Sequence, residues 1–290
     1  MTQTPNSLAA NTLEQYLEDA AAVILHRDQS QSAPPLAEIP KGKLRVGVDL
    51  GTAYLVLVVL DELNRPLVGE WQFAQVVRDG LVVDYVGATD LLKDMKKRVE
   101  RRLGRELTHA VSGYPPGVAK VEVRATANVV QAAGMDCPKL IDEPSAANQI
   151  LCLQNGVIVD VGGGTTGVAI IRDGKVIYTA DEATGGTHFS LVIAGSLGIS
   201  FEEAEILKIK PEEQARLYPL VRPVMEKVGS IVLRHIQDFP VDQITMVGGA
   251  SAFPGMAEVI QEYTGVPTRV SPRPAFVTPL GLAKYDLYEK

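Results

Sequence analysis

Apolar residues come in two rhythms along this chain. Over 12–26 they recur at helical spacing, with Leu13, Tyr16, Leu17, Ala20 and Ile24 on one face and Thr12 and Gln15 at capping-box spacing. From Val46 the rhythm is that of strands. Val46–Asp49 and Tyr54–Leu60 are runs rich in β-branched residues and leucine, separated by a glycine-threonine turn. Residues 61–66 turn into a third strand over 67–75. Helical spacing returns over Thr89–Leu103, with Leu92, Met95, Val99 and Leu103 inward. A strand at Leu107–Ser112, a loop at 113–117, a helix stopped by Gly134, a short strand at Lys139–Ile141 and a helix over Asp142–Leu153 complete this half.

The same programme then restarts. Val157–Asp160, a glycine-rich turn over 162–166 and Val168–Ile171 repeat the strand–turn–strand. Asp173-Gly174 reads as a hairpin turn into a third strand, Val176–Asp181. Helices follow over 187–197, 201–209 and 211–237, then a strand at Ile244–Val247, a Gly248-Gly249 pair and a helix over Pro254–Tyr263. The order β-β-β-α-β-α occurs in both halves, which predicts an α/β fold of two related lobes. Residues 43–155 with 272–290 form lobe I in this reading, and 156–271 form lobe II. Residues 1–42, a helix followed by the proline-rich stretch QSQSAPPLAEIP, are expected as an appendage. Its helix could pack on the body or serve as a docking peptide for a partner.

Composition changes the picture mainly by exclusion. With 28 Lys and Arg against 35 Asp and Glu the formal charge is −7, which argues against nucleic acid and anionic membrane as partners. The N-terminus lacks a basic leader, and no apolar run nears the ~20 residues of a membrane span. A cytoplasmic location is therefore expected. Cys137 and Cys152 have no metal or redox spacing and read as small buried residues; His26, His109, His188 and His235 are scattered. The helix near 89–105 carries seven basic residues, from Lys93 to Arg105, readable as a solvated face or as a dock for an acidic partner.

The repeated turns carry the candidate chemistry. Glycines expose backbone N–H groups, successive N–H groups make an anion-binding concavity, and threonine adds a hydroxyl donor. An aspartate ending the preceding strand repels phosphate unless Mg²⁺ sits between them. Two such turns, at Asp49–Ala53 and Asp160–Thr166, could hold a polyphosphate from both sides; a single one is as readily a plain hairpin. Gly162-x-Gly164-x-x-Gly167 also spells the dinucleotide fingerprint, but that motif must open a helix. Here it opens another strand.

Five stretches, in this order, resemble the superfamily of actin, sugar kinases and DnaK-type chaperone ATPases: VGVDLGTAY, LIDEPSAANQIL, VDVGGGTTGVAII, ITMVGGASAFPGM and PAFVTPLGLA. They look like its first phosphate loop, first connecting helix, second phosphate loop, adenosine loop and second connecting helix. The segment GGTHFSLVIAGSLGISFEEAEILKIK is similar to bacterial actin-like proteins of the rod-shape, cell-division and type IV pilus systems. In length and in its GGGTTG loop the chain resembles the chaperone-like J family of ethanolamine-utilisation operons.

The resemblance implies two actin-like, ribonuclease H-like lobes with a nucleotide cleft, and ATP with Mg²⁺ as ligands. Asp49 and Asp160 would hold the metal through water. Gly51, Thr52, Ala53 and Gly162, Gly163, Gly164, Thr165 and Thr166 would cradle the phosphates. Glu143 would orient or deprotonate the attacking water, so that Glu143, Asp49 and Asp160 form the catalytic set. Gly186, Glu205 and Lys208 would take the ribose and adenine, and Gly248, Gly249, Ala250 and Ser251 would line the adenosine site. Three departures point to weak hydrolysis: Gly167 stands where many relatives have an acid, Ala53 follows Thr52 where DnaK-type proteins have a second threonine, and the span from Trp71 to Thr89 is too short for their extra insert. The implied function is a chaperone-like accessory ATPase that assembles or reactivates a client, an enzyme or a microcompartment component, through nucleotide-dependent lobe closure. An actin-like or pilus-type scaffold, able to form oligomers, and a small-molecule kinase are the alternatives.

Overall fold

The computed structural model describes residues 5–78 and 81–286. The chain divides into two compact units. One comprises the described residues up to Tyr114, Val118–Cys152 and the segment from Phe276 onward. The other comprises Pro115–Gly117 and Leu153–Ala275.

The first unit opens with α1 (Pro5–Val23), β1 (Ile24–His26) and α2 (Arg27–Ser32). A meander of β2 (Leu44–Leu50), β3 (Tyr54–Asp61) and β4 (Pro66–Phe73) follows, then a small ribbon of β5 (Val77–Arg78) and β6 (Leu81–Val82). Helix α3 (Tyr85–Leu103), β7 (Val111–Tyr114), α4 (Lys120–Ala132), β8 (Leu140–Asp142) and α5 (Glu143–Leu151) complete this part. Six strands form one sheet in the order β1-β4-β3-β2-β7-β8. Strands β2 to β4 are antiparallel, whereas β7 and β8 run parallel to β2. Val46 and Val48 of β2 join Leu92, Met95 and Val99 of α3 in one core. Strand alternation sends Gly47, between the two valines, to the opposite face.

The N-terminal segment differs from the expected appendage. Its helix ends at Val23 rather than running to residue 26, and Ile24–His26 pair in parallel with Gly69–Trp71, adding a strand to the sheet. Leu17 and Ala20 are wholly buried. Arginines of α3, and Arg105 just beyond its end, hold this segment down. Arg101 donates to the carbonyls of Ser30 (2.7 Å) and Gln31 (2.9 Å). Arg102 donates to Gly69 (2.7 Å) and Val23 (3.1 Å), and Arg105 to Pro40 and Gly42 (both 2.8 Å). Arg98 turns onto the buried carboxylate of Glu70 at 2.6 Å. Only the Lys93 and Lys97 side of the helix fits the solvated-face reading, and the arginines bind the chain itself rather than an acidic partner.

The second unit repeats the plan. Strands β9 (Gly156–Val161), β10 (Thr166–Arg172) and β11 (Lys175–Glu182) form an antiparallel meander. Helices α6 (Gly186–Leu197), α7 (Phe201–Lys208) and α8 (Pro211–Ile236) follow, then β12 (Ile244–Val247), a 3₁₀ turn at Gly249–Ala252, α9 (Met256–Thr264) and β13 (Thr268–Val270). The sheet order is β11-β10-β9-β12-β13, with β12 parallel to β9 and β13 parallel to β12. This matches β4-β3-β2-β7-β8 strand for strand, so the doubled sequence programme is a doubled fold. One irregularity lies in the β10–β11 hairpin: Ile171 faces Val176 but Ile170 faces Tyr178, so Ile177 is an extra, bulged residue. Phe189, Leu217, Val221 and Met225 fill the core.

The chain then returns to the first unit as α10 (Val277–Lys284), which packs on α5 and β2. Among the described residues no helix is long and apolar enough to cross a membrane.

Candidate nucleotide site

In the second unit the predicted residues converge at the ends of parallel strands. Asp160, next to last in β9, is in register with Val247 of β12, the residue before Gly248. Ligands of open α/β sheets bind beyond such carboxyl ends. After Asp160 the chain turns tightly, with Gly162 N–H donating to Thr165 O at 3.0 Å, and runs back as β10. A strand therefore follows the glycines, which removes the dinucleotide reading. Glu182, the acid at that motif's spacing, is held by Arg234 (2.6 Å) and His235 (2.7 Å) instead.

The start of α6 fixes the loop's orientation. Gly186 N–H donates to Gly162 O (2.9 Å) and Thr187 N–H to Gly163 O (2.7 Å), and the Thr187 hydroxyl also donates to Gly163 O. A Cβ on Gly185 would lie 2.7 Å from Gly162 O, so only glycine permits this approach. In a trans peptide the C=O and the next N–H point in opposite directions. With the carbonyls of Gly162 and Gly163 turned onto α6, the N–H groups of Gly163 and Gly164 point away from it, as an anion cradle needs. Thr166 is buried and donates to Thr184 O at 2.6 Å, so its hydroxyl serves the fold rather than a phosphate.

A buried polar cluster sits beside this loop. The Lys208 ammonium donates to Glu205 Oε1 (2.5 Å), Ser190 Oγ (2.8 Å) and Gly186 O (3.0 Å). Ser190 also donates to Glu205. Burial lowers the Lys208 pKa, and the Glu205 charge and hydrogen bond work against that shift. Glu205 is 5 % exposed, yet its Oε2 is buried without a hydrogen-bond partner. A buried carboxylate oxygen left unmatched is costly unless a donor reaches it. Position 186 ties the cluster to the adenosine loop: a Cβ there would meet Ala250 Cβ at 3.1 Å, Gly162 O at 3.5 Å and Lys208 Nζ at 3.6 Å. Gly248 has φ +84°, and a Cβ on it would fall 2.2 Å from Asp160 Oδ1, so the Asp160 carboxylate lies against this glycine. Ser251 donates to Val247 O at 2.5 Å and is buried, which makes it a structural member of the turn. Gly249 and Ala250 lie in that 3₁₀ turn.

In the first unit Asp49 is the next-to-last residue of β2, and Gly51 N–H donates to Tyr54 O at 3.1 Å, the counterpart of the Gly162 turn. Thr52 and Ala53 follow, with Ala53 buried and its carbonyl accepting from Ala74 N–H. Glu143 is the first residue of α5, at the end of β8, and so stands at the same edge of the sheet as Asp49. Asp142 caps that helix by accepting from Ser145 N–H at 2.9 Å. Its charge, after burial, raises the Tyr114 pKa. No group of three or more His, Cys, Asp or Glu residues suited to a metal occurs among the described residues. A Mg²⁺ held mainly through its own waters by one or two carboxylates is compatible with that. Sequence reasoning missed Thr187 and Ser190; the Thr187-His188 pair right after Gly185-Gly186 was the available signal for the first.

The fold has known relatives. A profile of the family described as "Type IV pilus assembly protein PilM" matches residues 120–277. The ethanolamine utilization protein EutJ of Escherichia coli (strain K12) is 40% identical over 251 residues, covering 86% of this chain and 87% of that protein. The crystal structure of ethanolamine utilization protein EutJ from Carboxydothermus hydrogenoformans superposes with a TM-score of 0.86 at 41% identity, covering 94% of this chain and 98% of that one. MreB5 of Spiroplasma citri, in a crystal structure bound to AMPPNP, shares the fold with a TM-score of 0.69 at 17% identity over 85% of this chain and 97% of its own. On this evidence the chain belongs to the family of the ethanolamine utilization protein EutJ, built on the two-lobed actin-like fold.

Proposed function

We propose that this chain binds ATP with Mg²⁺, hydrolyses it weakly, and uses the bound nucleotide to govern its action as a chaperone-like accessory protein on a client of ethanolamine utilisation, an enzyme or a microcompartment component. The observation that carries the reading is the orphaned Glu205 Oε2, buried beside Lys208 and next to a glycine loop whose N–H groups point outward. A ribose hydroxyl would supply the donor this oxygen lacks, and the N–H groups of Gly163 and Gly164 would meet the phosphates. Asp160 would hold Mg²⁺ through its waters; the metal supplies charge neutralisation along the phosphates. In the first unit Asp49 is the corresponding carboxylate, and Glu143 is the group proposed to accept a proton from water. The AMPPNP-bound MreB5 relative supports nucleotide as the ligand class, and the names of the EutJ relatives support the pathway.

Calorimetry with ATP and ADP, with and without Mg²⁺, tests the reading. Micromolar, Mg²⁺-dependent binding is expected, weakened about tenfold or more by Asp160→Ala. Heat-free titrations of the native protein together with an unchanged melting temperature in saturating Mg·ATP would sink it, since a ligand of the native state must stabilise that state. The PilM match favours a second reading, a scaffold that recruits or polymerises. Sedimentation of large oligomers only in the presence of ATP would select it.

A further inference from the structure

A helix opens with backbone N–H groups that its own turns cannot satisfy, and the N–H of the residue before it can be taken by the side chain of the third helical residue. Among the described residues this backward bond recurs at several helices. At α2 Gln29 accepts from His26 N–H (3.3 Å), at α4 Glu122 accepts from Ala119 N–H (3.2 Å), and at α7 Glu203 accepts from Ser200 N–H (2.8 Å). At α6 the acceptor is His188, whose Nδ1 takes the N–H of Gly185 at 3.2 Å. A ring nitrogen that accepts carries no proton, so this imidazole is uncharged and holds its proton on Nε2.

The surroundings of α6 give that difference a meaning. The caps of α2, α4 and α7 are exposed, whereas the cap of α6 is part-buried against the glycine loop. A Cβ on Gly185 would lie 2.7 Å from Gly162 O and 2.8 Å from Gly163 O. The next two residues, Gly186 and Thr187, hold those carbonyls through their N–H groups, which leaves the N–H groups of Gly163 and Gly164 turned outward. A carboxylate at position 188 could make the same cap and would suit the positive end of the helix dipole better. It would also set a full negative charge within a turn of the anion cradle, where it would repel phosphate. An uncharged acceptor makes the cap without that repulsion.

We infer that His188 is a positioning residue of the nucleotide site: its Nδ1 fixes the Gly185 turn that orients the phosphate loop, and its lack of charge leaves that loop open to an anion. This rests on the nucleotide reading above and adds to it a residue and a role. Cap and charge are separable, because different substitutions remove them.

The test uses the full-length protein at pH 8, with ADP affinity by calorimetry and the melting temperature measured for each variant. His188→Gln keeps an uncharged acceptor and is expected to match the native protein in both. His188→Leu loses the acceptor; a lower melting temperature and a loss of about fivefold in affinity are expected. His188→Glu keeps the cap and adds the charge. Its melting temperature should not fall, while its affinity should drop about tenfold and partly recover in 0.5 M NaCl, roughly the screening a surface charge undergoes. Native affinity in His188→Glu would overturn the role of charge, and native affinity in His188→Leu the role of the cap; either leaves the nucleotide reading standing. Equal losses in His188→Gln and His188→Leu, or a His188→Glu protein that melts early, would make the ring a packing residue and overturn the inference as well. No ADP binding by the native protein would take down both this inference and the reading beneath it.

Discussion

Burial separates the two cysteines. Cys137 is largely enclosed, and that burial pushes its thiol up to about 11, while Cys152 is exposed at the end of α5. At pH 8 Cys137 holds only on the order of one thiolate in a thousand. Iodoacetamide should therefore modify Cys152 first, and Cys137 should react at a measurable rate only once the fold opens; mass spectrometry of a short labelling course checks this. The sign for stability follows. A thiol raised above its unfolded value stabilises fully below about 9 and loses that contribution as pH rises through about 11, so thermal melts should weaken across that window and Cys137→Ser should flatten the slope. At this scale the sequence was partly legible. Asp160, the 162–165 turn, Glu205, Lys208 and Gly248 lie together in the second unit. The Thr166 and Ser251 hydroxyls add nothing to that set, because each is spent on a backbone carbonyl. Ser190 was invisible: its partner lies 15 residues on, in another helix.

Among elements, the N-terminal segment shows why local pattern misleads. The apolar face of 12–26 reads as one continuous helix, yet Ile24–His26 leave it to pair with β4, where the missing side chain of Gly69 admits Ile24. Tertiary pairing overrides helical spacing there. Nor could the arginines of α3 be assigned from sequence, since Arg101 and Arg102 donate to backbone carbonyls up to 79 residues away and Arg98 pairs with Glu70 on another strand. Arg98→Ala would leave the carboxylate of Glu70, wholly buried, without its ion pair; a loss of about 3–5 kcal/mol is expected in urea unfolding. Arg105→Met removes the donors to Pro40 and Gly42 while keeping bulk. It is expected to open the 33–42 stretch to limited proteolysis before the rest of the chain, whereas Lys97→Met, on the solvent side, should not. The β10–β11 bulge had a similar effect on legibility. Counting back from the Asp173-Gly174 turn without it would place Ala180, not Asp181, opposite Gly167. One extra residue decides which side chains share a face.

At the scale of the molecule the repeat was the most legible feature, because each unit must bury its own sheet and so writes its own strand–turn–strand and helices. The crossing back of α10 was legible only as a motif. Its reason is packing. A Cβ on Gly281 would fall 1.8 Å from Ala146 O, and one on Gly47 would fall 2.5 Å from Pro279 O, so α10 lies in direct backbone contact with α5 and β2. Gly281→Ala is expected to cost about 3 kcal/mol or more in the first unit. Hydrogen exchange should show protection lost in β2, β3 and α5 but kept in β9 and β12. Asp286, just beyond this helix, accepts from Val46 N–H at 2.9 Å and lies 2.9 Å from His109 Nε2, which fastens the end of the described chain to the strand that begins the meander.

That fastening sets an order of events during synthesis. The second unit is contiguous from Leu153 to Ala275 but for three residues, Pro115–Gly117, which precede it, so all of its residues have been made before α10 emerges. The first unit begins earlier but lacks its last helix until the whole of the second unit has been made. The half of the protein that is translated first is therefore the half that matures last, and until then β2 stays uncovered on the face that Gly47 presents. A released chain cut off after residue 276 should display a protease-resistant second unit joined to a first unit that is still open to cleavage.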